Sequence, residues 1–374
     1  MSSSIEYLLN KRKLQESLRS LQSEGPSIDF CSNDYLGLAR NKDLQKKISA
    51  LSQSSNQLHI NGATGSRLIS GNSTFTEELE AKLAEIFKSE SALLFNSGYT
   101  ANMGVLSSIP QKGETVLYDE LSHASIKDGI RLSFAERFPF KHNNMDDLES
   151  KLKKSKGQVY IVVESIYSMD GDDCPLADVI TVAKKYNALI IVDEAHSTGV
   201  FGDKGNGLCC KLKLEKDIFI RIHTFGKAMG VHGACVAGSS VVKDFLINFS
   251  RPFIYTTALP FHSVASIGTS FEFLSANISL QTDIVQKITA FNANTGDINK
   301  IDSISPIQAV MVPGVENAKK VASILREEGF NVKPILAPTV KEGQERLRIC
   351  LHTYNTDLEI SNLTATLNKI MQVG

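Results

Sequence analysis

Short apolar runs rich in β-branched residues alternate with amphipathic stretches along most of the chain, and this alternation constrains the fold most strongly. Strands that alternate with helices are typical of a mostly parallel sheet covered on both faces. We therefore predict an α/β fold. The runs that predict buried strands are Ser91–Phe95, Thr115–Tyr118, Val159–Val163, Ala188–Val192, Ile218–Ile222 and Ala234–Ala237.

Two helices are predicted most clearly between these strands. The first spans about Phe75–Lys88, and Thr74 with Glu77 matches the pattern of a capping box at its start. The second spans about Leu176–Tyr186 and directly follows Pro175. Both carry apolar residues at helical spacing, so each is expected to bury one face.

The pattern changes after about residue 270, where a polar stretch leads into a different order of elements. We predict an N-terminal segment (1–45), a large domain (46–270) and a smaller C-terminal α+β domain (271–374). The elements predicted for the smaller domain are strands Ile307–Val312, Asn331–Ile335 and Arg346–Leu351 and helices Val315–Glu328 and Asp357–Met371.

Composition excludes several classes of function. The 40 basic residues nearly cancel the 41 acidic ones, so no overall field attracts nucleic acid or an anionic membrane, and a small-molecule substrate is expected. No secretory signal or membrane-spanning run is present, and none of the six cysteines has a metal-binding spacing. These features predict a cytoplasmic protein. The adjacent pair Cys209–Cys210 fits either chance or redox use.

Two apolar runs end in residues that can carry chemistry. Asp193 follows ALIIV, and Lys227 follows the next run along the chain within Thr224-Phe225-Gly226-Lys227. Ligands of parallel α/β sheets bind at the carboxyl ends of strands. Either residue alone is more often a surface charge, but together they match pyridoxal 5′-phosphate (PLP) chemistry. That cofactor needs a lysine amine and a carboxylate opposite the pyridine nitrogen.

Other candidates support the same interpretation. Asn96–Thr100 joins a strand to a helix through small residues, which suits a phosphate at the positive end of the helix. His123 could stack on a flat ring, and Arg346 or Arg348 could clamp a carboxylate. Each also has an ordinary structural interpretation. The glycines of Gly202–Gly207 are wrongly spaced for dinucleotide binding.

In order along the chain, these motifs resemble the α-oxoamine synthases, PLP-dependent transferases of fold type I. The resemblance covers nearly the whole chain and implies a large domain with a mostly parallel seven-stranded sheet between helices. The motifs are SNDYLGLA (Ser32–Ala39), GATGSRLISGN (Gly62–Asn72), NSGYTAN (Asn96–Asn102), DELSHASIKDGIRLS (Asp119–Ser133), ESIYSMDGD (Glu164–Asp172), VDEAHSTGVFG (Val192–Gly202), TFGKAMG (Thr224–Gly230) and YTTALP (Tyr255–Pro260).

The resemblance also implies roles for single residues. Lys227 carries PLP and removes the Cα proton of the amino acid, Asp193 binds the pyridine nitrogen and His123 stacks on the ring. Ser168 and His196 bind the phenolic oxygen. The implied phosphate ligands are Gly98, Tyr99 and Thr224, with Thr256 or Thr257 from a second subunit of a homodimer. The implied substrate contacts are Arg348 for the amino-acid carboxylate, Asn33 beside it, and Arg19 and Thr339.

The implied reaction is a decarboxylating condensation of an amino acid with an acyl thioester. Within the family, Gly65–Asn72 resembles the branch that makes 8-amino-7-oxononanoate for biotin from L-alanine and pimeloyl-CoA or pimeloyl-carrier protein. A 2-amino-3-ketobutyrate CoA ligase or another condensing enzyme of the family is the alternative. A PLP aminotransferase or lyase, and a binding module that kept the scaffold, are more distant ones. No metal is expected.

Overall fold

The computed structural model describes residues 3–14, 17–21, 25, 27–54 and 61–373. The chain divides into two compact units. Unit 1 comprises Met1–Ser32, Met169–Gly171 and Val285–Gly374, and unit 2 comprises Asn33–Ser168 and Asp172–Ile284. The predicted boundary between residues 270 and 271 lies inside a helix, Phe261–Ala276, so the division falls later along the chain.

The helices alternate with strands through most of unit 2, as the sequence predicts. The α-helices are α1 Ser4–Leu14, α2 Lys42–Ser54, α3 Thr74–Ile86, α4 Gly98–Ser108, α5 Ala124–Leu132, α6 Met145–Leu152, α7 Leu176–Lys185, α8 Leu208–Lys211, α9 Ser240–Phe249, α10 Arg251–Ile254, α11 Phe261–Ala276, α12 Ser279–Asn294, α13 Val315–Glu327 and α14 Asp357–Val373. Short 3₁₀ turns lie at Asp203–Gly205 and Glu215–Asp217.

The strands form separate sheets in the two units. They are β1 Ile28–Asp29, β2 Ser91–Phe95, β3 Thr115–Asp119, β4 Glu136–Phe140, β5 Val159–Glu164, β6 Leu189–Asp193, β7 Ile220–Thr224, β8 Ala234–Gly238, β9 Ile307–Met311, β10 Phe330–Asn331, β11 Lys333–Ile335 and β12 Arg346–Cys350.

Unit 2 contains a seven-stranded sheet in the order β2-β8-β7-β6-β5-β3-β4. Strand β8 runs antiparallel to both neighbours, and the other pairs are parallel. The predicted mostly parallel seven-stranded sheet of fold type I is therefore confirmed. The core under helices α4 and α5 is built from apolar strand residues such as Val162 and Ile191 and from Val105 and Ile126. Burying one such side chain contributes roughly 1.5–3 kcal/mol.

Strand β4 was not predicted from the sequence. It lies at the edge of the sheet, and Glu136 to Pro139 are exposed while Phe140 is buried. An exposed edge strand needs no apolar run, and it tolerates a proline such as Pro139. The apolar pattern that identifies the buried strands is therefore missing here.

Helix α3 begins differently from the prediction. The hydroxyl of Ser73, not of Thr74, accepts the backbone N–H of Thr76, and Ser73 has the extended conformation of an N-cap. Glu77 accepts a hydrogen bond from the Asn72 side chain at 2.7 Å instead of closing a capping box. The predicted capping box is therefore wrong. Ser73 and Thr74 are adjacent hydroxyl residues, and the helix is capped by the earlier of the two.

Unit 1 contains an antiparallel sheet in the order β11-β12-β9 and a parallel pair of β1 with β10. Helix α13 ends at Glu327 before Gly329, which has φ +89° and stops the helix as predicted. Helix α14 closes the chain. Across the described residues of both units, no helix combines the length and the apolar character that crossing a membrane requires.

Candidate active site

The candidate site lies at the carboxyl edge of the seven-stranded sheet. Strands β3, β5, β6 and β7 are parallel, and β2 has the same direction because β8 is antiparallel to both β2 and β7. All five strands therefore end at one edge, where a ligand of such a sheet binds. The chemistry-bearing segments follow these strand ends at Asn96–Tyr99, Asp119–His123, Glu164–Ser168, Asp193–His196 and Thr224–Lys227.

A chain of hydrogen bonds leads inward from Lys227. Its Nζ lies 2.7 Å from Nε2 of His196, whose Nδ1 lies 2.8 Å from the hydroxyl of the buried Tyr35. That hydroxyl donates to Oδ1 of Asn33 at 3.0 Å. Because the Tyr35 proton is used on Asn33, the Tyr35 oxygen accepts from His196 Nδ1–H. This leaves Nε2 as an acceptor that faces the lysine amine.

A second network surrounds Asp193, which is 6% exposed. One carboxylate oxygen accepts the Ala195 N–H at 2.9 Å, and the other accepts the Asn102 side chain at 2.7 Å. Asn102 also donates to the Ser125 hydroxyl at 3.0 Å, and that hydroxyl lies 2.7 Å from Nδ1 of His123. Asp193 and His123 are thereby joined through two polar side chains.

The His123 ring is held as neutral imidazole. Its Nδ1 accepts the Ser125 N–H at 3.2 Å, so Nδ1 carries no proton. Burial lowers the pKa of His123 below its usual value, and the positive charge of Lys227 lowers it further while Asp193 opposes the shift. Asp193 ends β6, Lys227 follows the neighbouring parallel strand β7, and Lys227 bonds to His196, three residues after Asp193, so the structure brings together the amine and the carboxylate that the sequence paired.

Glu164 stands directly beside Asp193, because the two residues are paired in register across β5 and β6. The Glu164 carboxyl is 3% exposed and accepts the His123 backbone N–H at 2.5 Å. Burial, and then the neighbouring charge of Asp193, raise the pKa of Glu164 well above its usual range. Glu164 is therefore a neutral acid near pH 7.

Backbone amides and a side-chain hydroxyl come together where helix α4 begins. The Ser97 hydroxyl and the Thr100 side chain form a capping box that leaves the amides of Gly98 and Tyr99 for a ligand. A Cβ atom on Gly98 would lie 2.5 Å from Thr224 Oγ1, so only glycine lets the helix end approach that hydroxyl. Gly98 and Thr224 therefore lie next to each other, and Tyr99 follows Gly98 in the first turn of α4.

The remaining predicted residues of unit 2 lie close to these segments. Ser168 is buried in the turn that follows β5. The Asn96 side chain donates to the Thr257 carbonyl oxygen at 2.9 Å and approaches the Thr256 hydroxyl at 3.5 Å. The two threonines are thus next to the Asn96–Tyr99 turn of their own chain.

The predicted substrate residues Arg19, Thr339 and Arg348 belong to unit 1. Arg19 donates to the Thr339 hydroxyl at 3.3 Å, so these two lie together. Arg346 forms a buried ion pair with Asp170 and is committed to it. Arg348 is 8% exposed and donates to the Cys350 sulfur at 2.9 Å. Of the two arginines, Arg348 is therefore the better candidate for a substrate carboxylate.

Glu194, next to Asp193, has a structural task. It is fully buried and accepts the backbone N–H groups of Leu208 at 2.7 Å and Cys209 at 3.1 Å. Gly207 has φ +95°, and a Cβ there would lie 2.6 Å from the Glu194 carboxylate. The glycine-rich loop therefore wraps this carboxylate.

Cys209 and Cys210 are both free thiols buried in helix α8. Burial raises the pKa of each thiol, and this outweighs the nearby Arg221 guanidinium in both cases. Reactive cysteines have a low pKa and some exposure. The structure therefore favours chance adjacency over redox use.

Sequence reasoning did not single out four residues of the site. Tyr35, Asn102, Ser125 and Glu164 all lie inside the motifs quoted above, but their tasks depend on partners in other motifs. The available signal was their position in those motifs, beside residues that were chosen. Their chemistry alone, a phenol, an amide, a hydroxyl and an acid, indicates no particular function.

The sequence matches the Aminotransferase class I and II family over residues 26–363. It is 40% identical to an 8-amino-7-oxononanoate synthase of Emericella nidulans, over 92% of this chain and 90% of that protein. It is 38% identical to 8-amino-7-oxononanoate synthase 2 of Bacillus subtilis (strain 168), over 94% of this chain and 90% of that protein.

Two solved structures are similar along most of the chain. A serine palmitoyltransferase from S. paucimobilis with bound PLP has a TM-score of 0.90 and 27% identity, and the match covers 100% of this chain and 98% of that one. An 8-amino-7-oxononanoate synthase from Francisella tularensis has a TM-score of 0.80 and 28% identity, with 93% and 98% covered.

We predict that Tyr35→Phe destabilises the protein by about 1–3 kcal/mol, because it leaves buried His196 Nδ1–H and Asn33 Oδ1 without their shared hydroxyl. Urea unfolding of the cofactor-free protein measures the change. Tyr186→Phe is the matched control: its hydroxyl bonds to Glu149 near the surface, and its loss should cost less than about 0.5 kcal/mol. Equal effects of the two substitutions would contradict the importance of the buried chain.

Proposed function

Because this chain belongs to the aminotransferase class I and II family, and within it to the α-oxoamine synthases, we propose that it makes 8-amino-7-oxononanoate for biotin biosynthesis. It is a PLP-dependent acyltransferase that condenses L-alanine with pimeloyl-CoA, or with pimeloyl on a carrier protein. Free CoA or carrier thiol and CO2 leave. The observation that carries the proposal is that Asp193 and Lys227 follow neighbouring parallel strands at one sheet edge. Asp193 is linked to His123 through Asn102 and Ser125, and Lys227 bonds to His196.

The donor set at this edge fits PLP. A lysine amine can hold the cofactor aldehyde, a carboxylate can hold the ring nitrogen, and the first-turn amides of α4 can hold the phosphate. Because a Cβ on Gly98 would clash with Thr224 Oγ1, glycine there keeps this hydroxyl beside the first-turn amides. Ser168 and His196 are the proposed partners of the phenolic oxygen, and His123 the proposed stacking residue. When bound, PLP is the electron sink for the alanine Cα.

The chain's own residues move and orient the proton. Lys227 takes the Cα proton of alanine and returns it after CO2 has left. Its neighbour His196 presents an unprotonated Nε2, so it can accept a hydrogen bond from the lysine amine and hold it in place. Neutral His123 offers a flat face without adding positive charge. Together they hold the reacting carbon in one orientation, which is a large part of such catalysis.

The substrate contacts are proposed from the sequence and supported by chemistry. Arg348 is proposed to bind the alanine carboxylate, since a guanidinium matches that group with two parallel hydrogen bonds. Asn33 is proposed to assist it, and Arg19 with Thr339 to contact the acyl thioester. The buried pairing of Arg346 with Asp170 supports the choice of Arg348 over its neighbour on β12.

The function is tested by a panel of substrates. Purified enzyme with PLP is incubated with alanine, glycine or serine and with pimeloyl-, acetyl- or palmitoyl-CoA, and CoA release and CO2 are measured. We expect turnover to be highest with alanine and pimeloyl-CoA. Preference for glycine with acetyl-CoA would identify a 2-amino-3-ketobutyrate CoA ligase instead. Preference for serine with palmitoyl-CoA would indicate the activity named for the similar serine palmitoyltransferase structure.

We predict that Lys227→Ala abolishes turnover and covalent attachment of PLP. Borohydride reduction followed by peptide mapping should find the cofactor on Lys227 in the wild-type protein and on no peptide of the variant. Lys82→Ala is the control, since Lys82 is an exposed lysine of α3 paired with Glu272. Attachment of PLP to another lysine in the wild type would refute the assignment.

We further propose a homodimer in which Thr256 or Thr257 completes the partner's phosphate site. Mixed dimers of Lys227→Ala with a Thr256→Ala, Thr257→Ala double variant test this. If the threonines cross between subunits, each mixed dimer contains one intact site and activity returns. If they serve their own chain, both sites stay defective and no activity returns.

A cytoplasmic location also remains a proposal. It is supported by the six cysteines, all of which are free thiols, as a reducing compartment allows.

A further inference from the structure

A histidine outside the predicted site is held between two carboxylates. Nδ1 of His142, just after strand β4, lies 2.9 Å from Oδ1 of Asp119, and Nε2 lies 2.7 Å from Oδ2 of Asp172. Carboxylates accept hydrogen bonds, so both ring nitrogens donate and the ring is an imidazolium. The Asp119 side chain is fully buried, and the His142 side chain is 22% exposed.

The charge on His142 persists in ordinary buffer. Burial alone would lower the pKa of His142, but the hydrogen bonds to Asp119 and Asp172 outweigh it and raise the pKa to about 9. The Tyr167 ring meets the imidazole edge-on at 4.5 Å. Burial raises the pKa values of Tyr167 and of nearby Cys174 well above their usual ranges, so both are neutral.

The other acidic residues that flank Asp172 along the chain have their own interactions. Asp170 is paired with Arg346 within unit 1. Burial raises the pKa of Asp173, whose backbone carbonyl oxygen accepts the Asn143 side chain at 3.2 Å. Within unit 2, His142 is therefore in direct contact with two carboxylates.

Each of these two aspartates, Asp119 through its carboxylate and Asp172 through its backbone, stabilises a segment of the candidate site. Asp119 ends β3 and accepts the Leu121 N–H at 2.8 Å, which shapes the turn that leads to His123. Asp172 lies in the turn after Ser168, and its carbonyl oxygen accepts the Tyr167 N–H at 3.0 Å. His142 thus connects the segment that carries the stacking residue with the segment that carries the ligand of the phenolic oxygen.

We propose that His142 is a positioning residue, whose imidazolium ties the Asp119–His123 turn to the Ser168–Asp172 turn and so sets the spacing of His123 and Ser168 around the cofactor. The proposal rests on the proposed use of PLP. It requires the tie to affect turnover as well as stability. Asn143 reinforces the tie: its backbone N–H donates to Asp119 at 3.0 Å, and its side chain donates to Asp172 at 3.0 Å.

The first test follows the charge itself. The folded pKa of His142 is about 9 and the usual value is 6.5, so its contribution to stability is complete below pH 6.5 and is lost as pH rises through 9. Urea unfolding of the cofactor-free wild type and of His142→Gln should therefore differ most at about pH 6 and least at about pH 10. Titration of ¹⁵N-labelled histidine by NMR should place this ring near 9. A histidine pKa at or below 6.5 for His142 would overturn the proposal.

The second test separates positioning from mere support of the fold. In the PLP-loaded enzyme, His142→Gln should lower kcat on the order of tenfold to a hundredfold, change KM for alanine little and shift the visible absorbance of the cofactor. His262→Gln, an exposed histidine of α11, is the matched control and should change none of these. A variant that loses stability but keeps kcat and absorbance would show that the tie is only structural, and the proposal would fail.

The third test uses one carboxylate. Asp172→Asn leaves His142 with a single charged partner, so the ring loses its proton at a lower pH. The alkaline side of the profile of kcat against pH should therefore shift to lower pH in this variant. A profile that does not shift would count against the proposed tie. The NMR and absorbance measurements need no substrate, so they remain decisive even if alanine and pimeloyl thioester prove to be the wrong pair.

Discussion

The burial of the Asp193 carboxylate determines how the polar residues at the carboxyl edge of the seven-stranded sheet are arranged. Asp193 is 6% exposed, and a buried carboxylate is tolerated only when its oxygens are hydrogen-bonded. The Ala195 amide supplies one bond and Asn102 the other. Asn102 in turn binds Ser125, and Ser125 fixes the His123 ring. The network that stabilises this buried carboxylate therefore also holds the proposed stacking residue, which directly precedes helix α5.

Much of this could be predicted from the sequence, because buried strands carry their own signal. The runs that end at Phe95 and Asp193 are largely apolar, since helices cover both faces of a parallel sheet. The run that ends at Thr224 is buried throughout, although it includes Arg221 and His223. Once the strands were known, the residues after them had to lie at one edge. Lys227, Asp193 and Gly98 were found in this way, and the motif resemblance gave them roles.

The remainder depends on contacts that no local pattern reveals. Strand β4 is exposed along most of its length and so lacks the apolar run. Helix α3 is capped by Ser73, although Thr74 with Glu77 matches the capping-box pattern. Tyr35 bonds to His196, a residue far along the chain, and is indistinguishable in sequence from any buried tyrosine. Such partners become visible only when the fold brings distant segments together.

The pair Glu164 and Asp193 shows why two neighbouring acids need not share a function. They are paired in register on adjacent strands β5 and β6, and two negative charges on such neighbouring residues in a buried place would repel each other strongly. Burial and the adjacent Asp193 raise the pKa of Glu164, so Glu164 is the acid of the pair that holds a proton. Glu164 still accepts the His123 amide, so a neutral acid supports the turn. The same physical rule, applied with opposite sign, keeps His142 charged between Asp119 and Asp172. Each buried acid described here is therefore either protonated or hydrogen-bonded, and its surroundings determine which of the two applies.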